Sequence, residues 1–240
     1  GYRENGQLEF NLNYKNGEKD GTMLEYHKNG QLYLKSNYKD GKRNGTWVSY
    51  HDNGQLEFKG NHKNDERDGA LVSYRENGQL YLKSNYKDGK MDGTWVGYRE
   101  NGQLEFNLNY KNGGKDVAMV EYHENGQLYL KSNYKDGKRN GTWVSYYDNG
   151  QLEFKGNYKN DEREGTLVRY RESGQLYLKS NYKDGKRNGT WVSYHDNGQL
   201  NEKGNWKNDK RNGVWVIYNE DGTVGKQFTG IFNNGVKISD

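Results

Sequence analysis

The sequence predicts an all-β fold, an elongated twisted antiparallel meander of tandem 24-residue β-hairpins without helices, and three observations carry that prediction. Asn-Gly-Gln-Leu at residue 5 returns at 29, 53, 77, 101, 125, 149 and 197, as Ser-Gly-Gln-Leu at 173, with Asp-Gly-Thr-Val at 221. The period never slips. Each Asn-Gly is flanked by two short alternating runs rich in aromatic and branched residues, a strong hairpin signal. Leu, Ile, Val and Phe together number only 39 of 240, so no unit can bury a core alone and the array must be stabilised by neighbour stacking.

Residues 45–63 show the unit: Gly-Thr-Trp-Val-Ser-Tyr, then His-Asp-Asn-Gly-Gln, then Leu-Glu-Phe-Lys-Gly-Asn-His-Lys. The connection at 38–45 carries a second turn dipeptide, Asp40-Gly41, so successive hairpins run antiparallel and form a meander. The whole of 1–240 is expected to be a single array of about ten units, the first one truncated, with 213–240 as a C-terminal cap. Glu202 stands where Phe or Leu is expected, Trp206 replaces Tyr, and 221–235 holds two extra residues. A larger repeat is also present: 1–96 and 97–192 differ at only 13 positions, so four hairpins were copied as a block. Such a copy extends a surface more readily than it builds a reaction centre.

Register decides which residues share a face. A two-residue type I′ loop sets Val48 against Lys59 and Tyr50 against Glu57 and scatters the apolar residues. A three-residue loop with Gly54 in a left-handed bulge pairs Val48 with Phe58 and Tyr50 with Leu56, which leaves Trp47, Ser49, Glu57 and Lys59 on the other face. The second register segregates better and is the one expected. It also places Tyr33 across from Trp47, Tyr81 from Trp95, Tyr129 from Trp143 and Tyr177 from Trp191. Where the Trp position holds Met23, Leu71, Met119 or Leu167, the partner is Glu9, Glu57, Glu105 or Glu153. Cross-strand aromatic pairs contribute about 0.2–1 kcal/mol each, and these would recur at about 19 Å if strands lie about 4.8 Å apart.

Composition narrows the function classes. Twenty-two Tyr and six Trp supply the apolar area that aliphatic residues do not. Proline is absent, which suits a continuous ladder. With no cysteine, disulfides and thiolate metal sites are excluded and the redox compartment stays open. No apolar run is long enough for a membrane span or signal peptide, so the chain as given is expected to be soluble. Its compartment is unspecified, and a surface or secreted location would need an upstream signal. Gly1 falls in mid-unit, which reads as a processed or trimmed edge.

The stretch Tyr-Lys-Asp-Gly-Lys-Arg-Asn-Gly-Thr-Trp-Val-Ser-Tyr-His-Asp-Asn-Gly-Gln-Leu at 38–56 resembles a run of MORN repeats, the membrane occupation and recognition nexus. The match is nearest to the bacterial YwqK-like antitoxin-component subtype. Its signature returns at Tyr86, Tyr134 and Tyr182 and covers nearly the whole chain. The resemblance implies an elongated twisted sheet, protein contacts, proposed lipid contacts and, in bacteria, toxin neutralisation. Asp65, Asp161, Asp209 and Val117 replace turn glycines of the pattern, where distorted turns are expected.

The sharpest binding candidates are Tyr33, Trp47, Tyr81, Trp95, Tyr129, Trp143, Tyr177 and Trp191, regularly spaced aromatics that could anchor a protein or stack on sugar rings. The plainer reading, which comes first, is that they only cover the sheet and stiffen it. A lysine row at 35, 59, 83, 131, 155, 179 and 203 is expected on the same face, blunted by Glu57, Glu105 and Glu153 and serving as a solvated, edge-protecting surface. His27, His51, His123 and His195 share one unit position but lack ligand spacing, and Asn64-Asp65-Glu66-Arg67-Asp68-Gly69 lacks the alternating carboxylates and closing Glu of a calcium loop. No catalytic residue, cofactor or metal site is expected. The function expected is a non-enzymatic scaffold for protein partners, antitoxin- or immunity-like in the sense the resemblance implies, and the rival is a carbohydrate-binding or adhesive surface array. An anionic lipid surface ranks behind both. Nucleic acid is not expected at a net charge of +4, and Tyr2 leaves an edge strand that could pair between chains.

Overall fold

The computed structural model describes residues 1–239. The chain divides into two compact units, Gly1–Lys115 and Asp116–Asp240. Each is an antiparallel meander in which every long strand pairs with its neighbours in sequence, and no helix occurs among the described residues. The first unit is built on Gly21–Tyr26, Leu32–Lys39, Gly45–Tyr50, Leu56–Lys63, Gly69–Tyr74, Leu80–Lys87, Lys90–Tyr98 and Leu104–Lys111. The second repeats the pattern from Val117–Tyr122 to Lys210–Ile217 and ends in Gly230–Asn233 and Val236–Ser239.

The hairpin loop is the three-residue one. His51 N donates to Gln55 O and Gly54 N to His51 O, with Gly54 at φ +81°, a type I turn closed by a left-handed glycine. Tyr50 therefore pairs with Leu56, as expected. The next pairs depart from expectation: Ser49 stands opposite Phe58 and Val48 opposite Lys59. The residue left over is Glu57. Each of the two registers open to the sequence holds on one side of a second bulge, and that bulge absorbs the one-residue difference. The same shift leaves over Tyr33, Tyr81 and Glu105 in the first unit and Tyr129, Glu153, Tyr177 and Asn201 in the second.

This bulge exchanges the faces beyond it. One face carries Leu34, Ser36, Trp47, Ser49, Phe58 and Leu71, and it is the buried one: Leu34, Ser36, Ser49 and Leu71 are at most 8% exposed. Large and small residues mostly alternate across its strands, with Trp47 opposite Gly60, Leu71 opposite Ser84, Ser84 opposite Trp95 and Trp191 opposite Gly204, the exception being Trp95 opposite Leu108. Small residues leave room for rings to lie flat on the sheet. A Cβ on Gly97 would meet the Phe106 ring at 2.4 Å, and one on Gly204 would meet Trp215, the largest fully buried side chain among the described residues.

The connections are two-residue turns. Asp40 and Gly41 adopt φ +49° and +76° between the paired Lys39 and Lys42, the type I′ geometry. Asp65, Asp161 and Asp209, in place of glycine, enter the left-handed region without breaking the turn, at φ +71°, +71° and +63°. Their carboxylates take over a structural duty. Asp65 Oδ1 accepts from Arg43 N at 2.9 Å and Arg43 Nε at 3.2 Å, and Asp161 binds Arg139 and Asp209 binds Arg187 in the same way. These donors hold the three carboxyls below the usual carboxylate range, chiefly through the Arg backbone N–H at Asp65 and Asp161 and the guanidinium at Asp209.

Val117 has no such compensation. It holds φ +65° with its side chain 62% exposed, a conformation that costs an L residue roughly 1–2 kcal/mol and a β-branched one at least that. In a glycine variant, greater chain entropy offsets part of the relief. Val117→Gly is therefore expected to raise stability by about 1 kcal/mol, measured as a higher urea midpoint at unchanged m-value; a lower midpoint would refute the assignment of strain.

Candidate functional site

The eight side chains singled out from the sequence lie four on the aromatic face of each unit but do not form the expected pairs. Trp95 stands across from Ser84 and Trp191 from Ser180, while Tyr81 and Tyr177 are bulge residues three positions away along the strand. In the other two cases Leu34 and Leu130 oppose Ser49 and Ser145, which likewise displaces Tyr33 from Trp47 and Tyr129 from Trp143. The bulge turns each tyrosine outward. Tyr33, Tyr81, Tyr129 and Tyr177 are 40–45% exposed.

Each exposed tyrosine is propped by the residue six positions before it. His27 and His123 meet Tyr33 and Tyr129 edge-on at 4.9 Å, and the guanidinium groups of Arg75 and Arg171 lie 4.6 and 4.7 Å from the centroids of Tyr81 and Tyr177. These supports are themselves anchored one hairpin ahead. His27 Nε2 donates to Tyr50 O at 2.7 Å, His51 to Tyr74 O, Arg75 to Tyr98 O, His123 to Tyr146 O, Tyr147 to Tyr170 O and Arg171 to Tyr194 O. The shared histidine position is thus a donor position that Arg and Tyr also fill. Among the described residues no group of three metal-ligating side chains converges.

The tryptophans sit deeper, within a stripe of rings and cations. Trp47 packs against Tyr38 and His62, Trp143 against Tyr134 and Tyr158, and Trp206 against Trp191 and Trp215. Cations from five of the turns cover the ring 19 residues on: Lys19 over Tyr38, Arg67 over Tyr86, Arg139 over Tyr158, Arg163 over Tyr182 and Arg187 over Trp206, at 3.7–5.2 Å from the centroids. Such contacts contribute about 0.5–1 kcal/mol at exposed sites.

In the second unit three of the candidates converge. Tyr129, Trp143 and Tyr177 line an open depression of about 450 Å³ together with Arg139, Tyr147, Glu153, Phe154, Tyr158 and Arg169. Glu153, the bulge residue between the two tyrosines, accepts from Ser145 Oγ at 2.7 Å. Trp191 lies outside this depression, its indole N–H donating to Glu202 at 2.6 Å. In the first unit Tyr33 lines a depression of about 610 Å³ with Arg3, Phe10, Tyr14 and Met23, and Trp47, Tyr81 and Trp95 take no part in it. Sequence reasoning missed Tyr147, Tyr158 and Arg169 altogether. The signal was available in the 13 differences between the copied blocks, because those three residues replace His51, His62 and Ser73.

The lysines do not follow this face. Lys35 and Lys59 both oppose Val48, on the side away from Trp47, whereas Glu57 and Glu153 stay on the aromatic side through their bonds to Ser49 and Ser145. The expected blunting of the row by Glu57 and Glu153 therefore does not occur.

Stacked hairpins, a self-covered aromatic face and cross-repeat locks define a tandem β-repeat scaffold. Segments 19–40, 43–64, 67–88, 91–112, 115–136, 139–160, 163–184 and 187–208 match the MORN repeat variant, 176 of the 240 residues. The chain belongs to the MORN repeat family. Repeats of this family are in general protein- or membrane-binding scaffolds and typically non-catalytic. No curated protein matches the chain. Solved structures with some likeness include TcdB2-TccC3-Cdc42 (15% identity, 93% of this chain and 14% of that one, TM-score 0.22). Two others are TcdB2-TccC3 (13%, 82% and 14%, 0.16) and TcdB2-TccC3-TEV (12%, 92% and 17%, 0.18). This chain spans less than one fifth of their length, and at these TM-scores the likeness carries no argument.

One difference between the copies also has a pH consequence. His62, 7% exposed against Trp47, is held below the usual value of 6.5, first by burial and then by the charges of Arg43 and Arg67. Because the unfolded chain takes up that proton more readily, the contribution is complete above pH 6.5 and is lost as the pH falls through 6.5 towards the folded value. His62→Tyr, the residue present at 158, is expected to reduce the drop in Tm between about pH 7.5 and pH 5.5. An unchanged drop would show that His62 does not titrate with folding.

Proposed function

We infer that the chain is a non-enzymatic scaffold that holds a protein partner on the aromatic face of its second unit. The observation that carries this reading is the depression between Tyr129 and Tyr177, whose lining holds three of the 13 differences between the copied blocks, each to a larger side chain. Exposed tyrosines held rigid by His123 and Arg171, with arginine and a fixed carboxylate between them, supply the residue types that dominate protein-binding energies. Preorganisation lowers the ordering cost of docking. The antitoxin- or immunity-like role implied by the family subtype would be one form of this, with a toxin or effector as the partner. A sugar-binding array would need tryptophan faces free for stacking, and here Arg139 lies over Trp143 while Tyr134 and Tyr158 flank it.

The test uses the full chain as bait. A stoichiometric protein partner should be captured and its affinity should fall at least about tenfold in Tyr129→Ala and in Tyr177→Ala, as expected for interface anchors worth more than about 1.4 kcal/mol. Tryptophan fluorescence should not respond to a glycan panel. Saturable quenching by a glycan, lost in Trp143→Ala, would overturn the protein-scaffold reading.

A further inference from the structure

The face opposite the aromatic one carries a pattern that the scaffold itself does not need. In the second unit the backbone register runs unbroken from Val120 to Lys131, Val144, Lys155, Val168, Lys179, Val192, Lys203 and Val216. One continuous row across nine strands thus alternates valine and lysine. All four lysines are exposed and all five valines are half-buried. No acidic residue occupies the row, and none of these lysines takes part in an ion pair among the described residues. The first unit has the shorter version Leu24, Lys35, Val48, Lys59, Val72, Lys83, Val96, Asn107.

Edge protection does not explain the row, because each lysine lies mid-strand with a paired strand on both sides. Nor does strand propensity, since lysine is depleted in sheets. What remains is charge aligned in one direction, with apolar steps between the charges. Strands lie about 4.8 Å apart, so the lysines recur at about 9.6 Å with a valine halfway. An α-helix rises about 1.5 Å per residue, which places positions seven apart at about 10.5 Å and an intervening residue three positions on at about 4.5 Å. Over four lysines the mismatch accumulates to about 3 Å, within the reach of flexible lysine side chains.

We propose that this row is a docking surface for an acidic amphipathic helix of a protein partner, laid across the strands, with a carboxylate in each heptad on a lysine and an aliphatic residue three positions later on a valine. A nucleic acid or polyphosphate would gain from the lysines but would press charged groups against the valines, at a desolvation cost. The alternation therefore favours a polypeptide. The contact is separate from Tyr129 and Tyr177, which face the other way.

The probe is a fluorescein-labelled 28-residue synthetic peptide with Glu at one position of each heptad, Leu three residues later and Ala or Gln elsewhere. A scrambled peptide of the same composition is the control. Anisotropy with the full chain at low salt should show the heptad peptide bound at least tenfold more tightly than the scrambled one. The combined variant Lys131→Gln, Lys155→Gln, Lys179→Gln and Lys203→Gln, checked for an unchanged circular dichroism spectrum, should lose that preference. Tyr129→Ala/Tyr177→Ala should keep it, so that failure here and failure of the aromatic-face reading are told apart. Equal binding of both peptides, an unaffected glutamine variant, or lysine-dependent binding only to phosphatidylserine vesicles would each overturn the proposal, the last by assigning the row to a membrane surface.

Discussion

A β-strand offers its side chains to two faces in strict alternation, so one surplus residue reverses every assignment beyond it. In this protein that surplus occurs once per hairpin, at Tyr33, Glu57, Tyr81 and their equivalents, and the rest of the architecture depends on it. Without the bulge, Phe58 would join Val48 and leave Trp47 among lysines. With it, Phe58 joins Trp47 and Ser49, and the two branched positions Val48 and Val72 flank Lys59 instead. The bulge residue itself has no cross-strand partner and is free to point outward. Alternating Tyr and Glu at that position then sets what the aromatic face presents, at no cost to the ladder beneath.

A hairpin of this kind is at best marginally stable in isolation, and the bonds that join neighbours are spaced by the repeat. The donor at 27, 51, 75, 123, 147 or 171 reaches the carbonyl 23 residues on, Arg43 reaches Asp65 22 residues on, and a turn cation covers a ring 19 residues on. Each type of contact requires only that the next hairpin be present in register. This is why His, Arg and Tyr can interchange at one position while the period cannot change by a residue. Substitution is tolerated and insertion is not. The C-terminal end shows the same logic, since Trp215 is fully buried between Trp206 and the strand Gly230–Asn233 and Arg211 lies between the Trp215 and Phe232 rings.

Much of this was legible in the sequence. Asn53-Gly54 marks the loop, Asp40-Gly41 the connecting turn, and the 24-residue period the meander. The bulge at Glu57 was not legible, because it has no glycine or other special residue to mark it, and Glu and Tyr are ordinary strand occupants. Without that bulge, an unbroken alternation puts Tyr33 opposite Trp47 and Lys59 on the wrong face. The alternation of Tyr with Trp is real, but the two are not cross-strand partners, since each of Trp95 and Trp191 faces a serine while Tyr81 and Tyr177 fall on the bulge. Asp65 looks like a flaw in a turn for a similar reason. Its partner Arg43 sits in the previous repeat, and nothing local to 64–69 shows it.

Duplication followed by local change supplies a route from a stiff array to a specific one. The backbone register around Tyr146 reproduces that around Tyr50, down to the bulge at Glu153. Against that fixed frame, His51, His62 and Ser73 of the first block correspond to Tyr147, Tyr158 and Arg169 of the second, all three on the lining of one depression. Tyr147 keeps the cross-repeat bond that His51 makes, donating to Tyr170 O at 3.0 Å. Tyr158 keeps the ring that stacks on the tryptophan, and Arg169 stays beside Phe154. Each of these three changes alters the surface while preserving the contact made at its position. On the opposite face the lysine and valine row gains length, with Lys203 and Val216 where the first unit has Asn107 at its corresponding end. A scaffold whose stability comes from repetition can therefore diversify on either face, as long as each new side chain still completes the bond to its neighbour.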